Sequence, residues 1–413
     1  MLLVRLAARS TLRQKSRSLL TLFSVVLAST LMIVALSFLQ GLITTFTADS
    51  SNQMGHVRVV TQTYQKREAL NPLYENISNA GELITRLRGV PGVEDVYPRV
   101  QQTATISLGE EIGDTFGMLV GVPLDYMHKR LELDKKLAKG RMIADPRTEI
   151  ILGRDLAHSM GAKVGADVVV LASTQDGSLS PMELTVVGIA DTRNPQYDRS
   201  AYVDIELGRW AADIPGGAVE LLLFSKSARD DLVLQQRAQE LLASEPSRKL
   251  SVQAWSTREP MASVLMIFNR VSGVLMFAVV FVAALGVFNT MMMSVLERTR
   301  EIGVLRALGL NKRLCLVLII LEAAFISLVG GGIGVVLGSL LAVALRFAEI
   351  NLGAVAAGAG QGLAVSDTLR VLWTPELAAS AFGLSLVMAL LGSILPARRA
   401  ASIPPVEAMR ETS

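Results

Sequence analysis

A membrane protein with four transmembrane α-helices and a large mixed α/β extracytoplasmic domain between helices 1 and 2 is the fold class this sequence predicts, on three observations. The chain of 413 residues is 51% hydrophobic and only 19% charged, with a mean hydropathy of +0.42, too oily for an ordinary soluble chain of this length. Its apolar residues gather in four runs that approach or exceed the roughly 20 residues needed to cross about 30 Å of hydrocarbon. Between the first two runs lies a long stretch with the composition of a folded soluble domain.

Residues 1–18 carry Arg5, Arg9, Arg13, Lys15 and Arg17 and no acidic side chain, a basic flank that is expected to stay in the cytoplasm and not to bind nucleic acid. Residues 19–43, "LLTLFSVVLASTLMIVALSFLQGLI", form the first span without an ionisable group. A cleavable signal peptide would have an apolar stretch of only about 7 to 15 residues, so the run is read as a retained helix. Residues 44–260 are then forced outside. "HVRVV", "TATIS", "TEIIL", "DVVVLA", "MELTVVGIA" and "VELLLF" read as strands, and "TQDGSLSP" reads as a hairpin turn. "AGELITRLRGV", "GRDLAHSMG" and "RDDLVLQQRAQELLA" read as helices.

Residues 261–296 hold an amphipathic stalk and the second span, 297–313 a charged cytoplasmic segment, and 314–345 the third span, interrupted only by Glu322. An outside loop at 346–376 with an Ala/Gly-rich run, "GAVAAGAGQG", precedes the fourth span at 377–395, which is introduced by Trp373, a capping Thr374 and Pro375 at the first helical position. The tail, 396–413, carries Arg398, Arg399 and Arg410. With four crossings every basic cluster falls on one side, so both termini are expected in the cytoplasm.

Residues that could do chemistry are sparse. His56, His128 and His158 are scattered, with no HExxH and no CxxC, so no metal site is expected. GxSxG and the Walker A pattern GxxxxGK[ST] are absent, so neither a serine nucleophile nor a nucleotide cradle of that kind is predicted and no catalytic residue is assigned. Cys315, the sole cysteine, lies at the start of the third span, leaving the external domain without a disulfide. Gly330, Gly334 and Gly338 recur every four residues on one helix face, the small-xxx-small pattern that lets membrane helices approach closely. Glu322 would cost roughly 2.5 to 3.5 kcal/mol at mid-bilayer. Lying about two turns from the cytoplasmic end of its helix, it reads as a polar group facing neighbouring helices, with a proton relay and a coupling role as alternatives.

The segment between the second and third spans is the most telling. Leu296 to Leu308 is rich in helix formers, and Gly309 sits where a helix stop belongs. Ile302 and Leu305 are placed on one face, with Glu297 and Glu301 on another. A surface helix anchored to anionic lipid would explain its arginines; a docking site for a soluble partner explains both signs of charge.

"ERTREIGVLRALGLNKR" resembles the signature that follows the second span in permeases of the MacB/FtsX-like family, the transmembrane subunits of ATP-binding cassette (ABC) systems that include the Lol lipoprotein-releasing permeases. "ILEAAFISLVGGGIGVVLG" is similar to the third span of that family, and "LPARRAASIPPVEAMR" to its closing segment; "RSLLTLFSVVLAS" and "LGRDLAHSMGAKVGADVVVL" are looser matches. The resemblance implies a non-catalytic permease of the bacterial inner membrane, paired with a second protomer, identical or not, and driven by a cytosolic ATPase. With no ATPase domain fused here, that engine is expected to be a separate polypeptide holding the ATP and Mg, and no cofactor is expected on this chain. Carried over, the ATPase contact falls on Glu297, Arg298, Glu301, Ile302, Leu305 and Arg306, with Glu301 and Arg306 as the charged partners. Layout and length resemble the Lol-type members, which implies release of lipoproteins or related amphiphiles, with membrane lipid and a periplasmic client or chaperone as further partners. An actuator of a cell-wall hydrolase and an exporter of peptides or small amphiphiles through an outer-membrane channel are the alternatives.

Overall fold

The computed structural model describes residues 15–109, 114–192, 195–227, 230–243, 249–259, 261–347, 350–351, 368–369, 371–402 and 404. Arg5, Arg9, Arg13, Arg410 and the Ala/Gly-rich segment 353–362 lie outside the described residues. The chain forms two compact units, one of Met1–Thr44, Ile267–Ile350 and Leu369–Ser413, the other of Thr45–Met266 with Asn351–Thr368. The first helix, α1 (Lys15–Met54), has 40 residues, about 60 Å at 1.5 Å per residue, so it outruns its apolar window Leu22–Thr45. Nothing in "TFTADSSNQM" breaks a helix. Gly55 does, at φ +76°, where a Cβ would also meet the Leu222 Cβ at 2.9 Å.

The second unit is built on one ten-stranded sheet. In chain order it contains β1 (Val57–Thr61), α2 (Ala80–Arg88), β2 (Asp95–Ser107), β3 (Asp114–Val122), β4 (Leu137–Gly140), β5 (Glu149–Gly153), α3 (Arg154–Met160), β6 (Asp167–Ser173), β7 (Leu179–Ala190), β8 (Ser200–Asp204), α4 (Ile205–Ala212), β9 (Glu220–Phe224), α5 (Asp231–Leu242) and β10 (Leu250–Ala254). All six stretches read as strands lie in strands to within one residue at their starts, and the "TQDGS" turn joins β6 to β7 with Ser173 opposite Leu179.

The long strand β2 divides the sheet. Its first half, Asp95–Arg99, pairs with β9 in the run β10-β1-β9-β2. Period-2 alternation sends Val57 and Val59, Val96, and Leu221 and Leu223 into one core with Leu83 and Leu87 of α2 and Leu234 and Ala238 of α5. The opposite face receives Arg58, Arg99 and Glu220. The second half of β2 pairs with both β3 and β6, which closes a six-stranded barrel in the order β2-β3-β8-β5-β7-β6. Its interior is filled by alternate residues such as Ile106, Leu119, Leu152, Val170, Leu184 and Val203. Helices α3 and α4 follow directly on β5 and β8, which run antiparallel, so they stand at opposite barrel ends and add Leu156 and Leu207 to the core. Where α4 meets β3, Gly208 and Gly121 face each other so closely that a Cβ on either would lie 2.8 Å from the other's Cα.

In the other unit α1 is joined by α6 (Met261–Glu297), α7 (Thr299–Ala307), α8 (Lys312–Phe347) and α9 (Pro375–Ser402). With α1, the three long ones make four helices long and apolar enough to cross a membrane among the described residues. Each outlasts its apolar run; α9 continues through the buried Pro396 to Ser402. Proline cannot donate to the carbonyl one turn back, at Gly392. Gly392 is also where α6 comes close, since a Cβ there would meet the Ala284 carbonyl oxygen at 2.6 Å. Thr374 starts α9, its hydroxyl accepting from the Leu377 amide at 3.3 Å.

Candidate functional site

The charged segment folds as a short helix, α7, whose ends are fixed by local hydrogen bonding. At its C-terminus the Leu310 amide donates to the Leu305 carbonyl at 3.0 Å and the Gly309 amide to the Arg306 carbonyl at 3.1 Å. Gly309 sits at φ +104°, which completes a Schellman stop that only glycine enters without strain. Two residues on, the Asn311 side chain accepts from the Leu314 amide at 2.8 Å and starts α8. The sequence LGLN thus ends one helix and begins the next with no slack.

One face of α7 is fastened to the helical bundle. Arg298 directs Nη1 to both carboxylate oxygens of Glu322 on α8, at 2.9 and 3.1 Å, and both side chains are largely buried, 15% and 13% exposed. Its Nε lies 3.5 Å from a Glu301 oxygen. Ile302 packs against the bundle core, Gly303 is buried and Arg306 is half-buried. Arg298, Ile302 and Arg306 are spaced by four and share this inner side. The other face is open: Arg300 and Glu301 are exposed, as are Val304, Leu305 and Leu308, the last at 81%.

Ile302 and Leu305, read as one face, differ in exposure, Ile302 half-buried against the bundle and Leu305 exposed. Arg298, assigned to the ATPase contact by resemblance, is paired with Glu322, which draws a counter-charge into its apolar setting. No single feature of the sequence singles out Arg298, because five basic side chains lie between 298 and 313. Glu297 is exposed at the end of α6.

The glycine stripe of α8 seats α1. A Cβ at Gly330 would meet Val25 at 3.2 Å, one at Gly334 the Val26 carbonyl oxygen at 2.5 Å, and one at Gly338 would overlap Ile33. The Thr30 hydroxyl donates to the Gly334 carbonyl at 3.1 Å. On the other side of α8, Ser327 donates to the Ser385 carbonyl of α9 at 3.0 Å. Between α1 and α6 an apolar groove of about 450 Å³ is lined by side chains that include Leu31, Leu36, Leu39, Leu275 and Val279.

In the sheet unit, charge is concentrated where the chain arrives from α1 and leaves for α6. Arg58 on β1 makes a two-pronged contact with Glu68 at 2.7 and 2.8 Å. Arg258, three residues before α6, joins the same carboxylate at 3.1 Å. Glu220 on β9 is held by Arg99 at 3.0 Å. Burial pushes the Glu220 carboxyl up, but Arg99, Arg58 and Arg258 outweigh it and hold it at about 2. His56, just ahead of β1, is lowered to about 4, first by burial and then by Arg130; its Nδ1 accepts from the Ser225 amide at 3.0 Å. Among the described residues no group of three or more His, Cys, Asp or Glu side chains could hold a metal.

Comparison with known proteins bears on this arrangement directly. The MacB-like periplasmic core domain matches residues 18–238, more than half of the chain, and the FtsX-like permease C-terminal domain matches residues 273–405. The chain belongs to the MacB/FtsX family of ABC transporter permeases. The permease is 25% identical over 421 residues to the uncharacterized ABC transporter permease MJ1507 of Methanocaldococcus jannaschii, covering 99% of this chain and 97% of that protein. It is 24% identical to the uncharacterized ABC transporter permease YknZ of Bacillus subtilis, with 98% of each chain covered. Similarity to the macrolide export ATP-binding/permease protein MacB of Shewanella oneidensis is 23% over 78% of this permease, which spans only 47% of that longer protein. Both matched domains fall on the architecture above: the first covers α1 from residue 18 and the sheet unit through β9 and most of α5, and the second covers most of α6 and all of α7, α8 and α9.

Proposed function

We propose that the permease is a lever: a separate cytosolic ATPase docks on the open face of α7 and its motion passes through the bundle to the external domain. The observation that carries this is the two-sidedness of α7. Arg300, Glu301, Val304, Leu305 and Leu308 offer both charge signs and apolar surface outward, the mixture that suits a protein partner better than anionic lipid. The inner face is bound to α8 through Arg298 and Glu322. A push on the outer face therefore moves α8, and α1 rides on the glycine stripe of α8. A second permease protomer completes the path, since four helices enclose little space.

The cargo is a lipoprotein or a related amphiphile. The groove between α1 and α6 supports this reading: it is lined by aliphatic, Met and Phe side chains and is suited to an acyl chain, with no polar group to reward a sugar or peptide backbone.

One purification tests both parts. Tagged permease is isolated from native membranes of cells grown with alkyne-palmitate. Wild type is expected to bring down an ATPase and alkyne-labelled lipoprotein. Glu301→Lys with Leu305→Asp should lose the ATPase while inserting normally, and Ala35→Trp, which fills the groove, should lose the labelled protein and keep the ATPase. Retention of the ATPase by the first variant would refute the docking face; equal labelled protein with the second would refute the cargo.

A further inference from the structure

The barrel interior is packed with apolar side chains, and one end carries a cleft on its outside. Beside α4, between the loop 145–147 and the first half of β7, lies a space of about 750 Å³. Pro181, Leu207 and Trp210 supply its apolar surface. Trp210 is 60% exposed, although α4 buries Ile205, Leu207, Ala211 and Ala212. The ring therefore contributes little to the barrel core. An exposed tryptophan bordering a concave surface is the residue type that most often anchors a protein contact.

The rim of the cleft is acidic on a chain whose net charge is +3. Asp145, Glu183, Asp204 and Glu206 line it, against Arg147 alone. Some of this charge is occupied locally. Asp145 accepts from the Thr148 hydroxyl at 2.7 Å and the Arg147 amide at 3.1 Å. Asp204 caps α4 by accepting from the Glu206 amide at 2.9 Å. Glu206 meets Arg209 at 2.5 Å but stays 70% exposed, and Glu183 stands exposed on β7. The lining thus carries three negative charges in excess, or two once Arg209 is counted. Anionic headgroups and nucleotides are repelled by such a rim. A basic chain is attracted, and an apolar side chain between its cations finds the tryptophan.

We propose that this cleft docks a short basic segment of a protein partner, an apolar side chain lying on Trp210 and flanking Lys or Arg groups reaching Glu183 and Glu206. The site is independent of the α7 contact and of the nature of the cargo. The charges lie on separate elements, Glu183 on β7 and Glu206 on α4, so an extended segment with cations at alternate positions fits it better than a single compact cation.

The test uses the full-length permease in nanodiscs of uncharged phosphatidylcholine, with the fluorescein-labelled peptide Lys-Leu-Lys-Leu-Lys titrated by fluorescence anisotropy. Saturable binding is expected, weaker by about tenfold or more in Glu183→Lys and in Trp210→Ala, and lost in about 0.5 M salt. Glu-Leu-Glu-Leu-Glu should not bind. Both substitutions are at exposed positions, and Trp210→Phe, which keeps the apolar contact, should bind nearly as well as wild type. No saturable binding, equal affinity in the variants, or equal binding of the acidic peptide would overturn the proposal. So would a drop in self-association of the permease in the variants with peptide binding unchanged, which would give the cleft to a second copy of the chain.

Discussion

Arg298 and Glu322 form the contact on which the proposed lever depends. A carboxylate within a span is costly alone, and Arg298 places one guanidinium nitrogen at 2.9 and 3.1 Å from its two oxygens. Removing either partner takes the main counter-charge from a largely buried group, a loss of about 3–5 kcal/mol for a fully buried pair and less for one with some water access or a second partner such as Glu301. Glu322→Arg and Arg298→Glu should each lower the thermal denaturation midpoint of the permease and the ATP hydrolysis of the assembled complex. The double exchange should recover much of both, with a coupling energy of about 1–3 kcal/mol in a double-mutant cycle. Silent single variants, or a double no better than the singles, would remove this pair from the transmission path.

At the scale of elements, the stripe of Gly330, Gly334 and Gly338 sets how near α8 lies to α1. A side chain at 338 would overlap Ile33, so Gly338→Leu must push the helices apart, with a penalty of about 1–3 kcal/mol. Gly332, on the same helix, has nothing within 4 Å of its would-be Cβ, and Gly332→Leu is the control that should leave the melting temperature of purified permease unchanged. Equal effects of the two would refute the packing role of the stripe. The stripe itself was legible in the sequence; its neighbour was not, because periodicity shows a face without naming what covers it. The same limit applied to the strands. Those with apolar β-branched runs were readable, whereas β3 is interrupted by Gly117 and Gly121, and β8 is a short run buried at every position. Gly121 in β3 reflects the close passage of α4 and Gly117 that of Leu156 on α3, tertiary facts that leave only a weak local signal. In α7 the stop at Gly309 was legible, but the inward side was decided by a carboxylate 24 residues beyond Arg298.

For the molecule as a whole, the external domain is connected to the membrane helices by two strands that are themselves partners. β1 follows α1 after two residues, β10 leads towards α6, and they pair antiparallel from Val57 opposite Ala254 to Thr61 opposite Leu250. Arg58 and Arg258 further tie the arriving and departing chain to one carboxylate, Glu68. On the proposed lever, a displacement of either helix would reach the sheet at this one place. For this to couple a cytosolic engine to an external domain, α7 and the sheet must lie on opposite sides of the membrane. Four crossings and the basic residues at 298, 300, 306, 312 and 313 lead us to expect α7 inside. Cysteine labelling reads this directly. Cys315 is buried, so the unaltered chain is the blank. Asp176→Cys, in the exposed β6–β7 turn, should react with a membrane-impermeant maleimide on intact spheroplasts. Asn311→Cys, exposed between α7 and α8, should react only after the membrane is permeabilised. Labelling of Asn311→Cys in intact spheroplasts would place α7 outside, beyond the reach of any cytosolic ATPase, and the lever could not work.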